Sequence, residues 1–226
     1  MPSLLALDSS TDTMALALVT PGQTRVFEAA GGAQASARML PEIKALLAGA
    51  GLAMDDLDAI AFGQGPGAFT GLRTACAVAQ GLAFGLSKPV LAIDSLMLVA
   101  EDSRAQGAGD DVWVAMDARI GEIYAAHYRW VDGAWAVVEA PALYRPEVLA
   151  AHWGTPAAAA GTALTEYAQA LGTLEHAWPQ ARSRAAALGA LALAAWQRGE
   201  MLDAAEAVPV YVRDKVALTT AEREKK

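Results

Sequence analysis

Leu4-Leu5-Ala6-Leu7-Asp8-Ser9-Ser10-Thr11-Asp12-Thr13-Met14-Ala15-Leu16-Ala17-Leu18-Val19 opens the chain with two apolar runs separated by a cluster of turn formers. Runs of this kind read as strands, and Asp, Ser and Thr between them turn the chain. The pattern returns later. Trp113-Val114-Ala115-Met116-Asp117 is an apolar strand ending in aspartate, Ala118-Arg119-Ile120-Gly121-Glu122 turns, and Ile123 to Trp130 runs back. One strand, polar turn, strand unit is used twice. This predicts an α/β protein of two related halves, each opening with a β-hairpin. The glycine-acidic stretch from Gly107 to Asp111 is the best boundary, which makes 1–107 and 108–226 the expected units.

Between the two hairpins, Thr24 to Glu28 reads as a third strand. Ser36 to Ala50 carries Leu40, Ile43, Leu46 and Leu47 at helical spacing, with Pro41 as a kink or near the start. Asp58 to Phe62 is a buried strand, Thr70 is placed to cap a helix running to about Leu86, Pro89 to Ile93 is a strand, and another helix is capped near Ser95. After the second hairpin come a strand at Ala134 to Val138, a helix at Pro146 to Trp153, an apolar segment at Ala157 to Gly161, and an alanine-rich helix from Arg182 to about Arg198.

The chain has 226 residues, and 17 Lys and Arg against 25 Asp and Glu give a net charge of −8. No overall field attracts a polyanion, so nucleic-acid binding by the chain alone is expected to be weak. A local basic patch from Arg213, Lys215, Arg223, Lys225 and Lys226 is the one allowance, and the tail from Thr219 to Lys226 is expected to be mobile. Alanine supplies 54 of the residues, which favours helix rather than membrane. The first residues lack a basic n-region and Asp8 stops the apolar run, so a cytoplasmic protein without a membrane span is expected. One cysteine, Cys76, excludes an internal disulfide framework and a Cys-rich zinc site. His127, His152 and His176 are too far apart for a helix-borne metal site, and no Gly-x-Ser-x-Gly elbow appears.

Three features bear on function. Asp8, Ser9 and Thr11 put a carboxylate and hydroxyls on a hairpin tip that can hold a phosphate or its metal, although such turns commonly satisfy only their own backbone. Gly63-Gln64-Gly65-Pro66-Gly67-Ala68-Phe69-Thr70-Gly71 follows a strand and opens a helix, so its amides can meet an anion. It lacks the Walker ending, with Leu72-Arg73 where the phosphate lysine would stand, and a tight strand-to-helix turn explains it equally well. Third, Thr74 to Leu86 contains no charge, and Gly71, Ala75, Ala79 and Ala83 recur every fourth residue, with Gly81 and Gly85 as a second small pair. A helix apolar all round is buried in a core or under a partner. Asp117 and Glu122 form a nominal acid pair, but Arg119 between them points to an ion pair that shapes the turn.

The strings Leu5-Ala6-Leu7-Asp8-Ser9-Ser10-Thr11, Gly65-Pro66-Gly67-Ala68-Phe69-Thr70-Gly71-Leu72-Arg73, Asp117-Ala118-Arg119-Ile120-Gly121-Glu122-Ile123-Tyr124 and Pro209-Val210-Tyr211-Val212-Arg213 resemble the TsaB family. That family is the dimerisation subunit of the bacterial tRNA threonylcarbamoyladenosine machinery. The resemblance runs over nearly the whole chain. It implies two ribonuclease H-like halves of the actin-like, Hsp70-like and sugar-kinase-like type, a catalytic paralogue of the TsaD type and an ATPase of the TsaE type as partners. The catalytic relatives carry a His-x-x-x-His metal pair after the strand matching Pro89 to Ile93. Here Ser95 and Val99 stand near those places, and Ala118-Arg119 replaces the glycine pair of the second phosphate loop.

The resemblance therefore implies a non-catalytic subunit with no catalytic or metal-binding residue. No cofactor is bound by the chain alone, with ATP or ADP allowed at the joint interface. Partner contacts are expected at Leu40, Ile43, Leu47, Leu72, Cys76, Ala79, Leu82, Ala83 and Leu86, and the same helices would make a homodimer when the chain is alone. Asp8, Ser9, Thr11, Gly65, Gly67 and Thr70 are the candidate vestigial phosphate contacts, and Asp117, Arg119 and Glu122 the second-half loop. The competing reading is a free-standing ATP-dependent phosphotransferase of the same fold, using Asp8, Thr11 and Gly65 to Gly67.

Overall fold

The computed structural model describes residues 1–32 and 35–213, so Lys215, Arg223, Lys225, Lys226 and the rest of the expected tail lie outside the described residues. The first sheet contains β1 (Leu4–Asp8), β2 (Thr13–Thr20), β3 (Gln23–Ala30), β4 (Ala59–Gly65) and β5 (Val90–Asp94), in the order β3-β2-β1-β4-β5. β1 pairs antiparallel with β2 and parallel with β4. The second sheet contains β6 (Asp111–Arg119), β7 (Glu122–Val131), β8 (Ala134–Tyr144), β9 (Ala159–Ala160) and β10 (Ala177–Trp178), in the order β10-β9-β6-β7-β8. The two orders are the same once β6 is set on β1. The repeat of the opening hairpin is therefore a repeat of the whole sheet, the two-half α/β architecture expected.

β1 is buried at every position because it is central and covered on both faces. On one face Leu5, Leu7, Leu16, Leu18, Ile60 and Phe62 meet α1 (Ala35–Ala50) and α2 (Phe69–Leu86). On the other, Leu4, Ala6, Ala17 and Ala61 meet Leu188, Leu191 and Ala192 of α7 (Arg184–Arg198). α7 comes from the far end of the sequence. Beyond it Leu202 bridges Val90, and the turn Ala204–Glu206 lies under α2, where Gln80 Nε2 donates to the Ala204 carbonyl and Cys76 Sγ to that of Ala207. A division at residue 107 therefore does not describe the packing, since much of 184–210 belongs with the first sheet.

The apolar helix is resolved into two faces. Leu72, Ala75, Cys76, Ala79 and Ala83 are buried against the sheet, as are Ile43 and Leu47 of α1. These residues, taken above as partner contacts, are core of this chain. Small side chains are used because α2 lies close: a Cβ on Gly71 would collide with the Ser9 carbonyl. Leu82 and Leu86 are half-buried at the edge of the same core, and Leu40 is exposed. Two expected caps are also corrected. Thr70 lies inside α2, whose N-cap is Ala68, and Ser95 precedes α3 (Met97–Ala105), where Asp94 Oδ1 accepts from the amides of Leu96 and Met97. Pro41 is the seventh residue of the sixteen in α1 and does not end the helix. The Ala37 carbonyl it deprives of a partner is on an exposed residue.

Asp94 also joins the halves, since its Oδ2 accepts from Tyr128 Oη of β7 at 2.6 Å. Burial pushes the Asp94 carboxyl up, against the opposing effect of its three hydrogen bonds. A carboxyl raised on folding binds its proton more tightly in the folded state, so its contribution to stability falls as pH rises from its unfolded value through its folded one. Replacing Asp94 by Asn, which keeps an acceptor for the two amides, should therefore become progressively more favourable relative to wild type as pH rises above about 4. Denaturant melts of both proteins at several pH values read this directly. Ala79→Glu should destabilise the fold by about 3 kcal/mol or more, by putting an unpaired carboxylate in the core, seen as loss of cooperative melting.

Candidate functional site

A cleft of about 730 Å³ lies between the halves. Its walls are the β1–β2 turn, the start of α2, Ser95, the end of β6, the Gly161-Thr162 turn and the segment Val210–Arg213. The second hairpin brings its strand-end carboxylate, Asp117 of β6, to the wall, while Asp8, at the end of β1, lies buried behind Ser10, Ser95 and Arg184, which line the cleft.

Asp8 is completely buried and fully engaged. Its Oδ2 accepts from Arg184 Nη2 and from Ser10 Oγ, both at 3.0 Å, and Ser95 Oγ donates to Oδ1 at 3.4 Å. Arg184 Nη2 also donates to Ser10 Oγ, and only 7% of its side chain is exposed. Gly63 is glycine for this reason, since a Cβ there would occupy the place of the Asp8 carboxylate. A divalent cation would have to compete with a guanidinium already seated on Asp8.

The glycine string serves the same packing. The Ala68 amide, the donor an anion would need, donates instead to the Ser10 carbonyl at 2.7 Å. A Cβ on Gly67 would strike Ser10, and one on Gly65, where φ is +116°, would meet the Val210 carbonyl at 2.6 Å. Ser9 Oγ donates to the Gly71 carbonyl, and Thr11 Oγ1 accepts from the Thr13 amide. Thr70 supplies its carbonyl to Thr74 Oγ1. Thus Thr11 and Gly67 line the cleft, Asp8, Ser9, Gly65 and Thr70 stand outside its lining, and the polar groups of Asp8, Ser9, Thr11 and Thr70 are taken up by the chain's own Arg184, Gly71, Thr13 and Thr74.

Asp117 is engaged in parallel fashion. Its Oδ1 accepts from Tyr167 Oη and from the Arg119 amide, each at 2.8 Å, and Oδ2 pairs with Arg119 Nη1 at 3.2 Å. Burial, then the hydrogen bond to Asp117, pushes the Tyr167 hydroxyl up to about 12, so it is a donor at neutral pH. The expected ion pair within the turn is present for Arg119 and Asp117. Glu122 goes elsewhere, to Arg213 at 2.7 Å. Arg119 reaches the opposite hairpin with its second nitrogen, Nη2 lying 2.7 Å from Asp12 Oδ2.

Arg184 and Tyr167 escaped the sequence reading. One signal for Arg184 was present: Arg182 and Arg184 are the two charges before Arg198 in the alanine-rich helix, and a charge in such a run calls for a partner. His127 and His152 both pack on the Trp113 ring but pair with different carboxylates, Asp111 and Glu139. Among the described residues no three His, Cys, Asp or Glu side chains gather as metal ligands, and no helix is long and apolar enough to cross a membrane.

Comparison with known proteins gives consistent results. The family model described as "TsaD: tRNA N6-adenosine threonylcarbamoyltransferase" matches residues 19–180. The "tRNA threonylcarbamoyladenosine biosynthesis protein TsaB" of Escherichia coli strain K12 is 34% identical over 65% of this chain and 64% of its own length. The protein of the same name from Haemophilus influenzae is 40% identical over 54% of this chain and 52% of its own. The chain thus matches half to two thirds of these curated relatives. Two solved structures from Pseudomonas aeruginosa cover more. One, described as an uncharacterized protein with similarity to peptidase YEAZ, has a TM-score of 0.87 at 37% identity over 94% of this chain and 100% of its own. The other, YeaZ, has a TM-score of 0.84 at 38% identity over 93% of this chain and 100% of its own. Matched over more than two thirds of its length by that model, the chain belongs to the TsaD family, and its relatives there carry the TsaB name.

Proposed function

We propose that the chain is a non-catalytic accessory subunit in tRNA threonylcarbamoyladenosine biosynthesis, working in the cytoplasm by docking on a TsaD-like catalytic paralogue, with a TsaE-like ATPase as third component. tRNA is reached through the complex. The observation that carries the reading is Asp8 held by Arg184 in a buried pair, which leaves the first strand-end carboxylate without a free oxygen for a metal–phosphate. Asp117, held by Arg119 and Tyr167, repeats it in the second half. A free-standing phosphotransferase would need at least one of the two. Nucleotide, ATP or ADP, would be bound at the joint interface and not in this cleft.

The docking face is the outer side of α2. Phe69, Arg73, Ala77, Gly81 and Gly85 recur every fourth residue there and are exposed, with Phe84 at 79% beside them. Gly81 and Gly85 have nothing within 4 Å of a Cβ. Each such glycine costs a helix interior about 1 kcal/mol relative to alanine, and none of the described residues packs against it so as to require it. A second helix approaching closely does require it, whether from the paralogue or, for the isolated chain, from a second copy.

Gly81→Leu separates the two effects. It should raise the melting temperature slightly, by relieving the helix cost, while weakening association with the paralogue at least tenfold, about 1.4 kcal/mol. Sedimentation and calorimetric melting read both, and unchanged pairing would remove the docking face. The assignment as a non-catalytic subunit is tested by a tRNA modification assay with each component left out. The chain alone should turn over no ATP and transfer no threonylcarbamoyl group, and turnover abolished by Asp8→Ala would overturn the reading. With a net charge of −8 the isolated chain should also bind tRNA only weakly at physiological ionic strength.

A further inference from the structure

Arg119 reaches across the cleft because its own strand is irregular. The pairing of β6 with β7 shifts between Asp117 and Arg119, and Arg119 and Ile120 both have left-handed backbone, with φ of +64° and +58°. A bulge of this kind re-aims a side chain out of the regular alternation. Left-handed backbone is disfavoured for Arg, so the surroundings must hold it there, whereas Ile120 and Gly121, the latter with φ of +71°, take it as the two central residues of the hairpin turn. Ile120 is 75% exposed and supplies little packing. What holds the turn is polar: Arg119 Nη1 on Asp117, Arg119 Nη2 on Asp12, and the Arg119 carbonyl accepting from Arg213 Nη2 at 3.1 Å, while Arg213 also pairs with Glu122.

We propose that the Arg119–Asp12 pair is an ionic latch that holds the tips of the two hairpins together and keeps the cleft closed. The inference is independent of the choice of partner. Asp117 and the bulge aim the guanidinium before it meets Asp12, so little side-chain freedom is lost on closure. Both latch side chains are largely exposed, 69% for Arg119 and 85% for Asp12. The latch is therefore weak, reversible and sensitive to salt, as exposed pairs are. Arg213 and Glu122, more shielded at 12% and 33%, tie the C-terminal segment to the same tip and stay in place when the latch opens.

Amide hydrogen exchange on the full chain tests this, comparing wild type with Asp12→Asn, Arg119→Met and the double variant at ionic strengths of about 0.01 M and about 1 M. At low salt each single variant should speed exchange about fivefold in both tips, residues 10–13 and 119–122, and the double variant should add nothing further. At high salt wild type should exchange like the variants. Unchanged melting confirms that the variants are folded, and a variant that melted early would be compared at a lower temperature where it is folded. If Asp12→Asn leaves residues 119–122 unchanged, or Arg119→Met speeds only its own hairpin, Arg119 acts only within its own turn and the latch is refuted.

Discussion

A carboxylate and a guanidinium 176 residues apart in sequence meet in the interior, and the first half is arranged around them. Removing both charges from water is expensive, and their attraction offsets that only when the remaining polar atoms are also satisfied. Ser10 and Ser95 do this for Asp8, while Arg184 Nε is buried with no partner among the described residues. The consequences spread outward. Arg184 begins α7, so seating it fixes α7 across the back of β1 and β2, and the chain beyond must return under α2. Deleting either partner alone leaves a buried charge uncompensated, a loss of about 3–5 kcal/mol for such pairs, whereas an apolar pair of equal volume would fold at no such risk. The pair therefore specifies an arrangement more than it stabilises one.

The sequence made the sheets legible because their signals are local. Leu4 to Val19 and Trp113 to Trp130 alternate strand and turn formers, and the central strand β4 opens with the apolar run Ala59-Ile60-Ala61-Phe62. Pro146 opens α4 (Pro146–Trp153) at the position where its missing N–H costs nothing. The side of α2 facing the sheet was not legible. Leu72, Cys76, Ala79 and Ala83 differ little in polarity from Ala77, Val78, Gly81 and Phe84, so periodicity carries no direction there. The direction is set by a long-range contact, Gly71 on Ser9, that no local window contains. The home of α7 was hidden for the same reason, since its partners Ala17, Leu4 and Ala6 lie at the opposite end of the chain.

The glycine string shows how one pattern admits two causes. Glycines between a strand and a helix signal that something approaches the backbone closely. The sequence shows that something does, not what it is. In this chain the approaching atoms are its own: the Asp8 carboxylate at Gly63, the Val210 carbonyl at Gly65, Ser10 at Gly67 and Ser9 at Gly71. The resemblance in this string is thus as strong for packing as for chemistry, and only the destination of the Ala68 amide separates the two.

The duplicated halves meet the same electrostatic requirement by different routes. Each strand-end aspartate needs a cation, and each has an arginine. For Asp117 that arginine lies two residues away and depends on a bulge to be aimed, while for Asp8 it arrives from a helix after the second sheet is complete. The local solution leaves a guanidinium nitrogen free to reach the other half, and the distant one uses the same nitrogen on both Asp8 and Ser10. Local pairing therefore supplies the contact across the cleft, and distant pairing supplies rigidity beneath it. Both carboxylates thus have their charge balanced by the chain's own guanidinium groups. The outer side of α2 differs from both sites, since no described residue lies within 4 Å of a Cβ at Gly81 or Gly85.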